Sequence, residues 1–341
     1  MSSNLVTETL EQYGAATRSV LFDYLPRAHG KHQLYELCAE YPRRGGRAMR
    51  TSLCIAAARA FGARTDDALR TAAAIELLHN AMLIHDDIED ESEKRRGLPA
   101  LHVTEGVPIA INVGDTLSML SLRPLIDNRA WLGPRLSLLV LEAAERMARE
   151  SAEGQAIELE WRRDNPVDVT EPDYLLMVLK KTCWLATIYP ILAGALIGTN
   201  GAVEWEPIIR FGFLLGAAFQ IQDDLLNLVG DEARYGKELS GDIWEGKRTL
   251  MLIRLLELTT ANERRRVHAL LGLPRAERCV RDVRWVQRAM DRYGCIEHAR
   301  QVAQGLAGAA CHEFDVAFGS LPDSQDKRFI EALPVWVIER A

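Results

Sequence analysis

The chain has 341 residues, of which 48% are hydrophobic and 26% charged, a composition typical of a soluble globular protein. Its formal net charge of −7 gives no general attraction to nucleic acids or anionic membranes, so we expect no nucleic-acid partner. Anionic substrates would therefore need locally concentrated basic residues or bound cations. Six cysteines without a CxxC pair indicate free thiols in a reducing compartment, and we expect a cytoplasmic protein.

Apolar residues recur at helical spacing along almost the whole chain, and no convincing series of alternating strands appears. Glycine and proline separate segments of helical length. The predicted helices span residues 6–24, 46–61, 66–90, 109–127, 134–161, 172–197, 206–229, 248–258, 283–293 and 296–318, and a last one follows Asp326. The most apolar stretch, 184–198, is shorter than the ~20 apolar residues that cross a bilayer, so we expect a buried core helix and no membrane span.

No internal repeat and no Ser/Gly-rich linker divides the chain. We therefore expect an all-α fold in which residues 1–341 form a single domain. Its architecture would be one large helical bundle with a central active-site cavity, because helical bundles build their sites from side chains on facing helices.

A first acidic cluster ends the helix predicted at 66–90. At 3.6 residues per turn, Asp86 and Asp90 lie one turn apart on a face that His79 shares, whereas Asp87 points roughly 80° away. Carboxylates this close repel each other and favour a divalent cation, and magnesium binds one or two carboxylates together with phosphates and water. A solvated acidic helix end is an equally good explanation of this cluster taken alone.

A second acidic cluster, Asp223 and Asp224, ends the apolar helix predicted at 206–229. Two acidic helix ends in one helical chain can face each other across a cavity and hold a metal-bridged diphosphate. The basic run 94–96, just past the first cluster, supplies the positive charge that a diphosphate site requires. Together these features favour a diphosphate-binding enzyme over a solvated surface.

In their order along the chain, the motifs resemble those of the trans-isoprenyl diphosphate synthase family, over about residues 41–249. The two Asp-rich motifs of that family are present as residues 86–90 and 219–224. The segment 45–50 resembles the Gly-Gly-Lys-x-x-Arg element that binds isopentenyl diphosphate. Further matching elements are Arg95-Arg96-Gly97, Gly114-Asp115, Gly154-Gln155, Lys181-Thr182, Gly236-Lys237 and 242–249.

The resemblance implies a first subsite for an allylic diphosphate, which could be dimethylallyl, geranyl or farnesyl diphosphate. Three Mg²⁺ ions are expected on its diphosphate, held mainly by Asp86, Asp90 and Asp223. The candidate metal-binding residues as a set are Asp86, Asp87, Asp90, Asp223 and Asp224. The residues expected to contact this substrate directly are Arg95, Lys181, Thr182, Gln220, Lys247 and, more peripherally, Lys237.

The resemblance also implies a second subsite for isopentenyl diphosphate, formed by Arg47, Arg50, His79 and Arg96. The double bond of isopentenyl diphosphate would attack the allylic cation, and a proton would then leave, with the released pyrophosphate as its acceptor. Catalysis would rest on Asp86, Asp90, Asp223, Lys181 and Lys247, which stabilise the leaving diphosphate. A homodimer is also implied.

Three residues depart from the family pattern. Arg47 stands where Lys is usual, which replaces a point charge by a planar fork. Asn227 stands where a third Asp is common, and Glu158 replaces a more usual Asp; we assign neither a primary metal role. His85 lacks the alignment of His79 and is interpreted as structural, and the run 264–266 is interpreted as a solvated charged surface.

Two other functions are open to this sequence. A class I terpene cyclase would place metal ligands at i, i+4 and i+8, which Asp223, Asn227 and Asp231 imitate, but it needs no subsite for isopentenyl diphosphate. A non-catalytic partner subunit usually lacks the Asp-rich motifs, and both are present. The prenyltransferase is therefore favoured.

The expected product is geranylgeranyl diphosphate, with farnesyl diphosphate as the alternative. In the family, large aromatic residues just before the first motif close the cavity early. Here Ala81 is small and Met82 is flexible, and we expect both to face the growing chain.

Overall fold

The computed structural model describes residues 2–26, 33–230 and 240–340. The N-terminal half consists of α1 (Ser2–Asp23), α2 (Leu34–Arg43), α3 (Met49–Ala60), α4 (Thr65–Glu89), α5 (Leu101–Glu105), α6 (Val107–Leu132) and α7 (Pro134–Asp164). A short antiparallel hairpin of β1 (Lys94–Arg95) and β2 (Leu98–Pro99) follows α4.

The C-terminal half begins with one continuous helical rod, in which α8 (Glu171–Val178) passes into a π-helix (Leu179–Ile188) and then into α9 (Tyr189–Gly198). The remaining helices are α10 (Trp205–Val229), α11 (Gly241–Glu245), α12 (Leu250–Leu258), α13 (Ala261–Leu271), α14 (Val280–Arg292), α15 (Cys295–Phe318) and α16 (Gln325–Glu339), with a 3₁₀ turn at Arg275–Glu277.

The all-α prediction is confirmed, with α2, α5, α11, α13 and the hairpin as elements that the sequence did not reveal. In α13 only Val267, Leu270 and Leu271 are buried, so its arginine-rich sequence lacks a clear apolar stripe. A capping box in which Thr170 and Asp173 bond reciprocally begins α8, as the sequence indicates.

The core forms where α3 packs on α9 and where α10 packs on α15 and on the π-helix. A second cluster of buried apolar residues lies between α4, α6 and α2 and includes Leu77, Ala81, Ile84, Val113 and Leu117. Helix α4 thus has apolar contacts on two sides, and its acidic C-terminal end is fixed in place. That the whole chain forms a single domain stays a prediction.

The rod 171–198 is long and apolar enough to cross a bilayer, but 67% of its most apolar window is buried inside the protein. It packs against α3, α7 and α10. These contacts fit the expected core helix of a soluble protein.

Candidate active site

A cavity of about 490 Å³ opens between the C-terminal ends of α4 and α10 and is walled by α7, α8 and the π-helix. Carboxylates and lysines line one end of it, among them Asp86, Asp223 and Lys181. Below this ionic layer the lining becomes apolar or small, with Met82, Ser151 and Leu185. An anionic head and an apolar tail would therefore both find matching surroundings.

Asp86 reaches the cavity from the last turn of α4. One of its oxygens lies 3.3 Å from Lys181 Nζ, and the other accepts a hydrogen bond from Arg95 Nη2 at 3.4 Å. The aspartate therefore lies between two cations at the cavity wall.

Asp87 differs from Asp86 in its surroundings. It is fully buried, accepts a 2.6 Å hydrogen bond from the Tyr41 hydroxyl, and is paired with Arg95 through Nε at 2.9 Å and through Nη2. It does not line the cavity. The expectation that Asp87 binds metal is therefore corrected, because its charge is used to hold Arg95.

Asp90 is almost fully buried at the end of α4. Lys247 Nζ lies 2.5 Å from one oxygen, and Arg162 Nη1 donates to the other at 2.7 Å. Burial, together with the neighbouring Asp86, raises the pKa of Asp90 to about 7. Lys247, on the loop after α11, also pairs with Glu245 at 2.8 Å.

Lys247 has strongly acidic surroundings. Burial opposes its charged form, but the carboxylates of Asp90 and Glu245 raise the pKa of Lys247 well above its usual value. It lines the same cavity as Lys181. Lys237, the other predicted lysine, lies outside the described residues.

The second acidic cluster is formed by side chains of α10. Asp223 lines the cavity, and Arg340, the residue after α16, donates to it at 2.5 Å. The guanidinium of Arg340 also lies 3.9 Å from the centre of the Phe219 ring. The C-terminal end of the chain therefore reaches the site.

Asp224 lines the same cavity as Asp223 but has different partners. One oxygen accepts from Tyr174 Oη at 2.8 Å, and the other accepts from Gln220 Nε2 at 2.8 Å. The Gln220 carbonyl in turn accepts from Thr182 Oγ1 at 2.9 Å. This chain of hydrogen bonds indicates that Asp224 positions its neighbours. It favours that role instead of the predicted contact with a metal ion. Burial raises the pKa of Asp224 to about 7.

The π-helix places Lys181 in the cavity. Such wide turns occur often at functional sites. A Cβ on Gly154 would lie 2.1 Å from the Lys181 nitrogen, so only glycine allows α7 to approach the π-helix this closely. Glu158, one turn further along α7, pairs with the Lys181 ammonium. Glu158, which stands where the family usually has Asp, is thus the ion-pair partner of Lys181, a predicted site residue.

A second cavity, of about 340 Å³, adjoins the first and shares residues of its lining. It is strongly basic, and the only acids in its lining, among the described residues, are Glu76 and Asp223. The basic residues that line it are Arg47, Arg50, His79, Arg95, Arg96 and Arg340. All four residues predicted to bind isopentenyl diphosphate are therefore brought together.

Burial controls the charges at the boundary between the cavities. It lowers the pKa of Arg50 to about 10. Burial and the charge of Arg50 together lower the pKa of His79 to about 4. Glu76 lies 3.7 Å from His79 Nδ1, and this contact, followed by the charges of Arg96 and Arg50, lowers the pKa of Glu76 despite its burial. His79 is thus neutral at pH 7, and Arg50 and Arg96 supply the positive charge.

Asn227 and Ala81 have structural surroundings. Asn227 Oδ1 accepts from the backbone nitrogen of Asp242 at 3.1 Å and so holds the loop before α11.

Ala81 is fully buried in the second core cluster and does not line the cavity, so the expectation that it faces the growing chain is wrong. Met82 does line the cavity, as expected.

The donor set can be tested for its fit to magnesium. In the part of the chain that the structure describes, no three His, Cys, Asp or Glu side chains converge on a point that could hold a metal alone. Asp86 and Asp223 nevertheless line one cavity from two helices. This arrangement fits magnesium, which combines one or two carboxylates with phosphate oxygens and water.

Sequence reasoning missed several residues of the site. Arg162 and Arg340 contact predicted residues from distant parts of the chain, and no local pattern distinguished them from surface charges. Glu76, in contrast, lies three residues before His79 on the same helix. His85 was interpreted as structural, yet it lines the first cavity and lies 3.4 Å from Asp115. The match of Gly114-Asp115 to a family motif was the one available signal for this contact.

The fold and site define an all-α enzyme that holds anionic head groups above an apolar cavity. The chain belongs to the polyprenyl synthetase family, whose profile matches residues 31–290. It is 35% identical to a short chain isoprenyl diphosphate synthase of Methanothermobacter thermautotrophicus over 87% of each chain. The predicted family is confirmed, and the protein is a trans-prenyltransferase.

Solved structures of the family have the same fold. A geranylgeranyl pyrophosphate synthetase of Pyrococcus horikoshii superimposes with a TM-score of 0.86, at 31% identity over 99% of each chain. A polyprenyl synthase of Caulobacter crescentus, complexed with calcium and isoprenyl diphosphate, gives a TM-score of 0.86 at 26% identity, over 99% of this chain and 98% of that one. Dependence on magnesium is a property of the family.

The different surroundings of Asp86 and Asp87 predict different effects of the same substitution. Asp86→Asn should lower kcat by about a hundredfold or more with little change in stability, because an electrostatic contact to the reacting groups is lost. Asp87→Asn should lower the free energy of unfolding by about 3–5 kcal/mol, because Arg95 is left without its buried partner. Steady-state kinetics of both variants measure kcat, and urea unfolding measures the free energy of unfolding.

Near-native turnover of Asp86→Asn at saturating magnesium would contradict the role of Asp86. Native stability of Asp87→Asn would contradict the role of Asp87 as the buried partner of Arg95.

Proposed function

We propose that the protein condenses isopentenyl diphosphate with an allylic diphosphate and releases geranylgeranyl diphosphate as its main product. The observation that carries this proposal is the pair of adjoining cavities. One combines acidic and lysine side chains with an apolar interior, and the other is lined by arginines. Two diphosphates could bind with their reactive carbons near the shared wall.

The allylic diphosphate would bind in the first cavity beside Asp86 and Asp223, which line it. Asp90 is buried behind this lining next to Lys247, and the three aspartates would hold three magnesium ions. When bound, the metal ions neutralise negative charge on the diphosphate and so assist its departure. Lys181 and Lys247 lie beside the same carboxylates and add positive charge to the leaving group. Arg95, fixed by Asp87, lines the second cavity and lies 3.4 Å from Asp86, so its charge acts at the boundary.

In the second cavity Arg47, Arg50 and Arg96 bind the diphosphate of isopentenyl diphosphate, with neutral His79 as a hydrogen-bonding group. Attack of the double bond on the allylic carbon forms a carbon–carbon bond as the diphosphate leaves, and a proton then passes to the released pyrophosphate. The apolar lining excludes water, which would otherwise convert the cation to an alcohol.

The basic cavity also separates this proposal from a terpene cyclase, which has no second diphosphate to bind. Asn227, a ligand position in that alternative, is committed to the Asp242 backbone, and Asp231 lies outside the described residues. The buried apolar rod and the free cysteines fit a cytoplasmic enzyme, which we propose as its location.

The length of the product would be set one helical turn below the ionic layer. Met82, Ser151 and Leu185 lie four residues from Asp86, Gln155 and Lys181, at a depth of about 6 Å. One turn deeper, Met147 and Tyr189 are buried in the core. Ser151 is small and Met82 is flexible, so the chain can grow past this level.

Ser151→Phe should shift the main product from geranylgeranyl to farnesyl diphosphate, because the ring would fill the passage below Gln155. The wild type is incubated with magnesium, isopentenyl diphosphate and each allylic diphosphate in turn. The dephosphorylated products are then separated by chromatography. Hydrocarbons from the wild type would instead indicate a cyclase, and no turnover would indicate a partner subunit.

Two controls accompany this variant. Ser151→Ala should keep the product length, whereas Ala81→Phe should lose about 1–3 kcal/mol of stability by overpacking with no change in products. Unchanged products in Ser151→Phe, or shorter ones in Ala81→Phe, would place the floor elsewhere.

Residues that line only one cavity allow the two subsites to be tested separately. Arg50 and His79 line both cavities, whereas Arg47 lines only the second and Lys181 only the first. Arg47→Gln should raise the KM for isopentenyl diphosphate by about tenfold or more, because a charge-assisted bond is lost. Lys181→Gln should mainly lower kcat and raise the KM for the allylic substrate. An equal effect of both variants on both substrates would rule out the division into two subsites.

We also propose a homodimer, formed through α6. Ile111, Met119, Leu122 and Ile126 are all exposed and follow one face of this helix, which leaves an apolar stripe of the kind that marks protein interfaces. The rest of α6 packs on α4 and α7.

Light scattering should give twice the chain mass of 38.2 kDa for the wild type. The double variant Met119→Glu/Ile126→Glu should give single chains, because charges would be buried without partners. Val316→Glu, at a comparably exposed apolar position of α15, is the control and should stay dimeric. A monomeric wild type at micromolar concentration would refute the dimer.

A further inference from the structure

The segment 261–292, which contains α13 and α14, has a charge opposite to that of the whole chain. It carries nine arginines and four acidic residues, whereas the protein has a net charge of −7. The proposed condensation uses none of these arginines. A local concentration of one charge in a chain of the other sign needs a physical explanation.

The arginines of α14 form one stripe. Arg281, Arg284, Arg288 and Arg292 are spaced by three or four residues and fall within about 80° around the helix axis. All four are exposed, while Val283, Val286, Ala289 and Met290 on the other side are buried against the core. The stripe spans about 16 Å, so it is longer than a single diphosphate group.

Few carboxylates neutralise this stripe. The guanidinium of Arg281 lies 3.8 Å from the carboxylate of Asp282, and that carboxylate is already paired with Arg266 at 2.8 Å. Arg292 pairs with Glu263 at 2.6 Å. Arg284 and Arg288 form no ion pair with any residue that the structure describes.

Two exposed apolar side chains precede the stripe in the sequence. Val280, at the start of α14, is 52% exposed, and Leu273, in the preceding loop, is 38% exposed. Arginines beside a few exposed apolar groups, on an outward helix face, suit a flat anionic surface better than a small soluble anion.

The stripe lies next to the site. Gln287 on α14 donates to the Leu228 carbonyl near the end of α10, the helix that carries Asp223. Arg278, just before α14, donates to the carbonyls of Ile243 and Trp244 in α11. Helix α14 is therefore packed against the elements that form the ionic end of the cavity.

We propose that this surface, formed by Arg281, Arg284, Arg288 and Arg292, docks the enzyme on an anionic lipid bilayer. The choice of a bilayer rests on the proposed function, since a product with a long apolar tail and a diphosphate head partitions into membranes. A docked enzyme would release this product beside the lipid surface. Each arginine near such a surface contributes to binding, and salt weakens the attraction.

Co-sedimentation with phosphatidylcholine vesicles, with and without about a third of phosphatidylglycerol, tests this surface. The full chain should bind only the anionic vesicles, and should be released when salt rises from about 0.1 M to 1 M. The affinity of Arg284→Gln/Arg288→Gln for the anionic vesicles should fall by about tenfold or more. The control Arg149→Gln/Arg328→Gln removes the same charge from exposed sites on α7 and α16 and should bind as the wild type does.

No binding of the wild type, or equal binding by Arg284→Gln/Arg288→Gln, overturns the proposal. A lower kcat/KM of this variant without vesicles also overturns it, because the stripe would then attract the soluble substrates. Turnover assays without vesicles keep the two proposals apart. A protein that binds vesicles but makes no prenyl product refutes the proposed function alone.

Discussion

The site depends on pairing buried carboxylates with buried cations at the end of α4. Asp86, Asp87 and Asp90 lie within five residues, and like charges so close together destabilise both the helix and the fold. The surrounding cations are Arg95, Arg162, Lys181 and Lys247. Removing one member of a fully buried pair, such as those of Asp87 and Asp90, costs several kcal/mol, so these contacts constrain the rest of the architecture.

The cations come from four separate elements, and each must be brought to α4. Arg95 belongs to the hairpin, Arg162 to α7, Lys181 to the π-helix, and Lys247 to the loop after α11. Gly154 allows α7 and the π-helix to come close enough for Lys181 to reach Asp86. Three of the four cations therefore come from irregular parts of the fold, and only Arg162 comes from a regular α-helix.

The two cavities divide the proposed chemistry. The first has paired charges above an apolar interior, which suits a leaving diphosphate with a long tail. The second has an excess of arginines, and the neutral His79 lies at the boundary. Because Arg50 and Asp223 line both cavities, the charges that would hold the two substrates are shared. Arg340 connects the end of the chain to this boundary, so the site depends on a complete C-terminal helix.

The helices and the acidic clusters were evident from local patterns. Helical periodicity and capping residues are properties of neighbouring positions, and the spacing of Asp86 and Asp90 follows from the pitch of a helix. The resemblance of ordered motifs further indicated the family. Helix α2 was missed because it is short and contains Pro42, and α13 because few of its residues are apolar; the stability of both comes from tertiary contacts.

The sequence by itself thus determined the all-α class, the family and many of the residues that line the two cavities. Only the tertiary structure decided which of them face the cavity. Asp87 faces Arg95 and Tyr41, and Ala81 faces a second core, although both are adjacent to residues that line the site. Helical spacing gives the angle between side chains, but the packing of the neighbouring helices determines what lies at each angle.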